Sequence, residues 1–547
     1  MNFMRNETAE KLRGGYYTPP DLALFLARWV AQARPETILE PSAGDGAFIR
    51  ALDAAGAGAA RVVALELDAV EAAKAAESAR SLSVGADVLN RDFLGWALAE
   101  LPKGGQRFDA VVGNPPFVRY QYLPPTFQGL AERIFAKLGC RFTKHTNAWV
   151  PFVLASMALL RPGGRLAMVV PAEIIHVLHA QSLRTFLGEA CRRLVIVDPE
   201  EIWFEDTLQR AVLLMAEKKR APNEAGEGLG LLPVRGRGFL NEDPADVFAR
   251  PVPINGRTVE GKWTRAFLDV AVRRLLDKAQ ALPSVHRFND VADVDVGIVT
   301  GANKFFLVTD ETVERFGLQR WAHPMFGRSE HCPGVIYDGE QHRANGKAGL
   351  PSNFLWFPDE AAGRDPNVAA YVRTGESQEL HTRYKCRIRK PWYAVPSVYS
   401  TEIGMLKRSH GAPRLVLNKA EAYTTDTAYR IRSRGTSAET LVGAFVNPLT
   451  ALSAELEGRT YGGGVLELVP SEIERLLVPV PPDDAVDVRA LDRAVRASPM
   501  QEVVGGYGGR IMRAAGLSAA ECDALTEAWV RLRNRRQRVA GEETDAA

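Results

Sequence analysis

Between about residues 37 and 217, short β-rich runs alternate with stretches of helical pattern, and this alternation constrains the fold more than any other feature. The runs are TILEP, RVVALE, SLSVGAD, FDAVVGN, GRLAMVV, RLVIVD and RAVLLMAE. Strands that alternate with helices build a mostly parallel, doubly wound α/β sheet with helices on both faces. After Glu217 the pattern dissolves into KKRAPNEAGEGLG and then EDPADVFARPVPINGR, rich in Gly, Pro and charge. That composition predicts a linker or crossover over 226–262. It separates an N-terminal domain, 1–225, from a C-terminal domain, 263–547. Beyond the linker, VGIVTG, KFFLVT, FLWFP and RLVLNK read as strands among Gly/Pro turns, with a helix over 517–539, an α+β pattern. A chain of 547 residues is long enough for two independent cores.

An apolar share of 46% and a charged share of 24% describe a soluble globular chain. The net charge of +2 neither demands nor excludes a nucleic-acid partner, so the placement of charge matters more than its sum. No apolar run reaches a membrane span, and the start MNFMRNETAEKLRGG lacks the apolar core of a secretory signal, so a cytoplasmic location without membrane contact, associated with the nucleoid if the partner is DNA, is expected. Cys140, Cys191, Cys332, Cys386 and Cys522 form no Cys-x-x-Cys pair, and His176-x-x-His179 has no companion carboxylate. No metal site is expected from them.

The first strand, TILEP, runs directly into Ser42-Ala43-Gly44-Asp45-Gly46 and a helix. Glycines at that place let a ligand approach the backbone at a strand's carboxyl end. A dinucleotide fingerprint needs a third glycine at position 49, where Ile49 stands, which favours a nucleoside without pyrophosphate. Glu66, ending the second strand, can accept both ribose hydroxyls. Asp92-Phe93, after the third, can pair with an adenine amine and cover its ring. A plain turn and a solvated strand end remain the alternative for these residues alone.

The fourth strand ends in Asn114-Pro115-Pro116-Phe117. Two prolines stiffen the loop. Asn114 offers an amide oxygen, Pro115 a carbonyl with no competing N–H, and Phe117 a flat apolar face, which together suit an NH₂ group on a base. An amine held this way localises its lone pair and can attack a sulfonium methyl in line, with positioning supplying much of the rate.

With these motifs in this order, the sequence resembles the gamma-class, Taq-type adenine-N6 DNA methyltransferases of restriction-modification systems. Tyr17-Thr18-Pro19 looks like the family's first motif, which folds over the methionine part of the cofactor. Glu40 to Gly46, with Gly44, Asp45 and Gly46, resemble its cofactor turn; Glu66 and Asp92-Phe93 match its ribose and adenine contacts; Asn114 to Phe117 match the catalytic tetrapeptide, with Phe117 in place of the commoner Tyr. Trp203-Phe204 resembles the late motif in which an aromatic, here Phe204, holds the extruded base. Segments past residue 290, including RIRKPWYAVP and RTYGGGVLELVPSEIERLLVPVP, look like parts of these enzymes' recognition domains. The resemblance implies a class I S-adenosylmethionine-dependent methyltransferase fold, S-adenosylmethionine as cofactor and an α+β target-recognition domain. It also implies transfer to adenine N6 in duplex DNA by base flipping, action as a monomer on DNA, and a separately encoded restriction endonuclease as companion. Cytosine-N4 methylation, for which the loop usually begins with Ser, and a non-catalytic DNA-recognition subunit are the alternatives.

A flipped base needs a second surface to hold the opened duplex. Between residues 381 and 435 twelve Lys/Arg face three acids, with Trp392, Tyr393, Tyr399 and Tyr423 interleaved. Arg383, Lys385, Arg387, Arg389 and Lys390 are the densest part and the expected DNA contacts.

Overall fold

Eight strands in the order β3-β2-β1-β4-β5-β7-β6-β8 form one sheet. They are β1 (Thr37–Glu40), β2 (Arg61–Glu66), β3 (Gly85–Asn90), β4 (Phe108–Gly113), β5 (Leu160–Pro171), β6 (Cys191–Pro199), β7 (Ala211–Lys218) and β8 (Gly228–Val234). In this computed structural model, residues 17–103, 107–199, 211–254, 262–358, 360–461 and 464–537 are described. The chain divides into two compact units, 1–267 and 268–547, and the large sheet belongs to the first.

Strands β1 to β5 pair in parallel, and β7 runs antiparallel between β5 and β6. Both faces are covered, so β4 is apolar along nearly its whole length and almost entirely buried. The covering helices start where their sequences dictate. Helix α1 (Pro20–Ala31) opens on a proline, which has no N–H to waste in a first turn. Helix α2 (Ala47–Ala54) follows Gly46, whose φ of 87° belongs to the left-handed region, and a side chain there would press on Ala75 at 3.2 Å. Helices α3 (Ala69–Arg80) and α4 (Phe93–Glu100) are capped by Asp68 and Asp92, whose carboxylates accept first-turn N–H groups. Helix α5 (Pro125–Lys137) and the deeply buried α6 (Trp149–Leu159) lie between β4 and β5 in the chain. Strand order reverses between β1 and β4, and in open α/β sheets ligands bind at the carboxyl ends flanking that reversal.

The α/β class expected from the alternation is what forms, with two local differences. The third strand lies over GADVLN and not SLSVGAD, because Ser83 is drawn into hydrogen bonds with Asp53 and only Gly85 onward pairs with β2. The segment 226–262, expected as a linker, instead supplies β8, paired in parallel with β6, and a short helix, Pro244–Ala249, in the same unit. The cause is a distant partner: the buried Arg193 guanidinium donates to the carbonyls of Phe248, Ala249 and Pro251. It pins a stretch whose composition alone resembles a tether.

The second unit carries a five-stranded sheet in the order Ala292–Val296, Ala428–Ser433, Ile403–Leu406, Leu415–Asn418, Ile336–Tyr337. FLWFP and RLVLNK contribute the strands Asn353–Leu355 and Leu415–Asn418 as expected. KFFLVT is half as expected: Leu307–Val308 is a strand paired with Asn353–Leu355, but Asn303–Phe306 before it is a helical turn that buries both Phe305 and Phe306, which alternating strand geometry cannot do on one side. VGIVTG is mostly loop after Val296. A helix, Ala519–Gln537, occupies the expected C-terminal position. Among the described residues no helix is long and apolar enough to cross a membrane.

Candidate active site

Two motifs far apart in sequence meet where the strand order reverses. The Ser42 hydroxyl donates to the Asn114 backbone carbonyl at 3.0 Å. Gly113 makes the approach possible, since a side chain there would meet the Pro41 ring at 3.2 Å. The glycine-rich turn after β1 and the Asn-Pro-Pro-Phe loop after β4 are thereby joined. Sequence reading placed Ser42 in the turn but gave it no role of its own, because a serine in a turn carries no signal until its partner is known.

The turn itself is shaped by Glu66. One carboxylate oxygen accepts the N–H of Gly44 and the other that of Asp68, both at 2.9 Å, and each oxygen keeps a further lone pair. Glu40, at the end of β1, is fully buried, and among the described residues neither of its carboxylate oxygens has a hydrogen-bond partner. Burial first, then the nearby Glu66 and Asp45 carboxylates, push its pKa well above the usual carboxylate range. A buried acid without partners is costly to ionise and suits a ligand that brings positive charge.

The remaining residues singled out for this pocket fall around the same sheet edge or on its flanks. Asp45 pairs with Arg50 at 2.8 Å. Asp92 accepts the Gly95 N–H at 2.6 Å and so caps α4. Phe93 lies inward, with its ring 5.0 Å from that of Phe152, and is no open cover for a nucleoside. Tyr17 is exposed and donates to Glu71 at 3.2 Å, Thr18 is buried, and Pro19 precedes α1. Pro115 is buried and Asn114 and Pro116 half-buried. Phe117, expected as an open stacking plate, is only 9% exposed and belongs to the main core. Phe117→Ala should therefore lower the melting temperature in a thermal scan, at a cost of about 3–5 kcal/mol, besides any effect on turnover. Phe204 and Trp203 lie outside the described residues.

Two family models cover most of the sequence. Residues 67–203 match the Eco57I restriction-modification methylase model, and residues 260–512 match the C-terminal domain of the type II methyltransferase M.Eco57I. The chain belongs to the DNA methyltransferases of restriction-modification systems. It is similar to the type II methyltransferase M.AccI of Acinetobacter calcoaceticus, 22% identical with 84% of each chain covered. It is also similar to M.XamI of Xanthomonas campestris pv. amaranthicola, 25% identical with 85% of each covered. Among solved structures, that of the type IIG restriction endonuclease BpuSI aligns with 97% of this chain and 67% of its own at 15% identity, with a TM-score of 0.42. The methyltransferase uses S-adenosylmethionine. The residues present fit that cofactor, since the buried Glu40 carboxylate lies beside a glycine turn and the cofactor carries both an ammonium and a sulfonium charge.

In the second unit of the methyltransferase, most of the basic stretch is committed internally. Arg389, expected as a DNA contact, donates to the Thr300 and Val299 carbonyls at 2.7 and 2.6 Å, and burial lowers its pKa. Arg430 holds the Ser397 and Val296 carbonyls and lies 3.6 Å above the Tyr399 ring. Lys407 and Arg408 pair with Glu467, and Lys419 with Glu439. Trp392 and Tyr393 are core residues and not an exposed aromatic face. Arg383, Lys385, Arg387 and Lys390 are exposed. Tyr384, 64% exposed, stands among them with the Lys385 and Arg387 charges each 5.6 Å from its ring, and Ile388 is 61% exposed. A count of charges could not separate these groups from Arg389 or Arg430, since all are arginines and lysines near one another in sequence.

Proposed function

We propose that the methyltransferase modifies the exocyclic N6 amine of adenine in duplex DNA, with the target base turned out of the helix. The observation that carries this reading is the Ser42–Asn114 bond, which sets the cofactor turn against an Asn-Pro-Pro-Phe loop. Bound S-adenosylmethionine supplies a methyl group on a good leaving group. Glu40 and Glu66 bind the cofactor's charged and hydroxyl groups, and Asp92 and the Phe93 backbone border its adenine. The Asn114 side-chain oxygen and the Pro115 carbonyl accept the two hydrogens of the target amine, which turns its lone pair toward the methyl group. The extra proton leaves the amine after transfer. Phe117, 9% exposed, backs the base site from the core. Methylation-aware sequencing of DNA from cells expressing the chain tests the reading: N6-methyladenine at a defined site supports it, and N4-methylcytosine or an unmodified genome overturns it.

The second unit serves as the target-recognition domain, and Arg383, Lys385, Arg387 and Lys390 hold the phosphate backbone. Replacing these residues by Gln should weaken binding to every duplex. The slope of log affinity against log salt should flatten by about 0.9 for each phosphate no longer neutralised. Arg389→Gln should instead lower the stability of the unit, because its guanidinium braces the 299–300 loop. A salt titration and a melting curve on the two variants separate the roles.

A further inference from the structure

Beyond Phe117 the catalytic loop continues through Val118 to Tyr120, and its far side is held by residues outside every motif considered above. The N–H of Tyr120 donates to Asn147 Oδ1 at 3.1 Å, and Asn147 Nδ2 donates to Glu173 Oε2 at 3.0 Å. The next N–H in the chain, that of Ala148, donates to the Val118 carbonyl at 3.0 Å. Asn147 is 5% exposed, so its amide is largely shielded and its bonds to the half-buried Tyr120 and Glu173 meet reduced competition from water. The arrangement follows from topology. Glu173 lies in a short 3-10 turn, Ala172–Ile175, directly after β5, and β5 is the parallel neighbour of β4. The two strands emerge on the same sheet edge, and Asn147, just before α6, bridges the segments that leave them.

We propose that Asn147, held by Glu173, is a positioning residue for methyl transfer: it fixes the far side of the Asn-Pro-Pro-Phe loop as Ser42 fixes the near side. The proposal rests on the reading of Asn114 as the group that aligns the target amine. An amide suits the place because it donates and accepts at once. An aspartate there would set its carboxylate against that of Glu173, and an alanine would break both the bond from the Tyr120 N–H and the bond to Glu173. A loop allowed to shift by even 1 Å can lose on the order of 100-fold in rate. Cofactor binding is expected to persist, because the glycine turn, Glu40 and Glu66 lie before β3 in the chain, and the bonds that Ser42, Gly44 and Glu66 make there do not involve Asn147.

The test is single-turnover methylation of duplex DNA, with cofactor affinity by calorimetry, for Asn147→Ala, Asn147→Asp, and Asn147→Asp combined with Glu173→Gln. The single variants should lose roughly 10- to 100-fold in the transfer rate with cofactor affinity within about twofold of wild type. The double variant should recover much of the loss, since the amide introduced at position 173 can donate to the carboxylate introduced at position 147, which still accepts from the Tyr120 N–H. Unchanged rates in both single variants, or a double variant no faster than Asn147→Asp, overturn the proposal. If a single variant does not bind cofactor, hydrogen exchange at the Tyr120 amide in Glu173→Ala decides: faster exchange with slower transfer supports the clamp, and wild-type exchange overturns it. Asn114→Ala is measured alongside. If it stays active, the reading of the loop itself has failed; if it is inactive while the Asn147 variants are normal, only the clamp has.

Discussion

Asn114→Ala is expected to lose at least 100- to 1000-fold in turnover, about 3–4 kcal/mol in the barrier, while binding S-adenosylmethionine with near-normal affinity. The substitution removes a side-chain acceptor at the end of β4 and leaves intact the backbone carbonyl that Ser42 holds. The glycine turn and Glu66 therefore keep their geometry. Turnover and calorimetric affinity together distinguish this from unfolding, which would abolish both. Ser42→Ala should be milder, because it removes one neutral hydrogen bond worth about 1 kcal/mol and leaves the amide oxygen of Asn114 in place.

Glu40→Gln should weaken cofactor binding by about 10- to 100-fold, the range for losing a charge-assisted interaction of about 1.5–3 kcal/mol. Its pH dependence is the more specific expectation. In the absence of cofactor, burial and the neighbouring Glu66 and Asp45 hold the Glu40 pKa well above its ordinary value. A cationic ligand favours the ionised carboxylate and lowers that pKa. Below the raised pKa, binding must release a proton, so affinity should rise with pH and level off once the pH passes that value. In Glu40→Gln this component should vanish. Calorimetry in two buffers of different ionisation enthalpy measures the proton release; no release in the wild-type protein at any pH would remove Glu40 from the cofactor site.

What could be read from the sequence was the chemistry that is local along the chain. Strands β1, β2 and β4 and the motifs at their ends announce themselves because each needs only a short run of residues: an apolar strand, then glycines, a carboxylate, or two prolines. What could not be read depends on partners brought close by folding. Ser42 and Asn114 are 72 residues apart, and Asn147 and Glu173 are 26 apart. Arg193 turns a Gly- and Pro-rich stretch from an expected linker into part of the first unit by holding carbonyls 55 to 58 residues away. The basic stretch shows the converse error. Charge density suggested one continuous DNA face, yet Arg389 and Arg430 spend their donors on backbone carbonyls and Trp392 and Tyr393 fill the core. Phe93 and Phe117 likewise pack inward, because an aromatic beside an apolar strand gains more from burial than from standing open.

The central claim, that the loop after β4 directs methyl transfer to the adenine amine, is tested most directly by the product. Purified wild-type protein and Asn114→Ala are each incubated with duplex DNA and methyl-labelled S-adenosylmethionine, and the DNA is digested to nucleosides and separated. The account predicts label in N6-methyl-2′-deoxyadenosine for the wild type and almost none for the variant; label in N4-methyl-2′-deoxycytidine, or undiminished N6-methyl-2′-deoxyadenosine from Asn114→Ala, would contradict it.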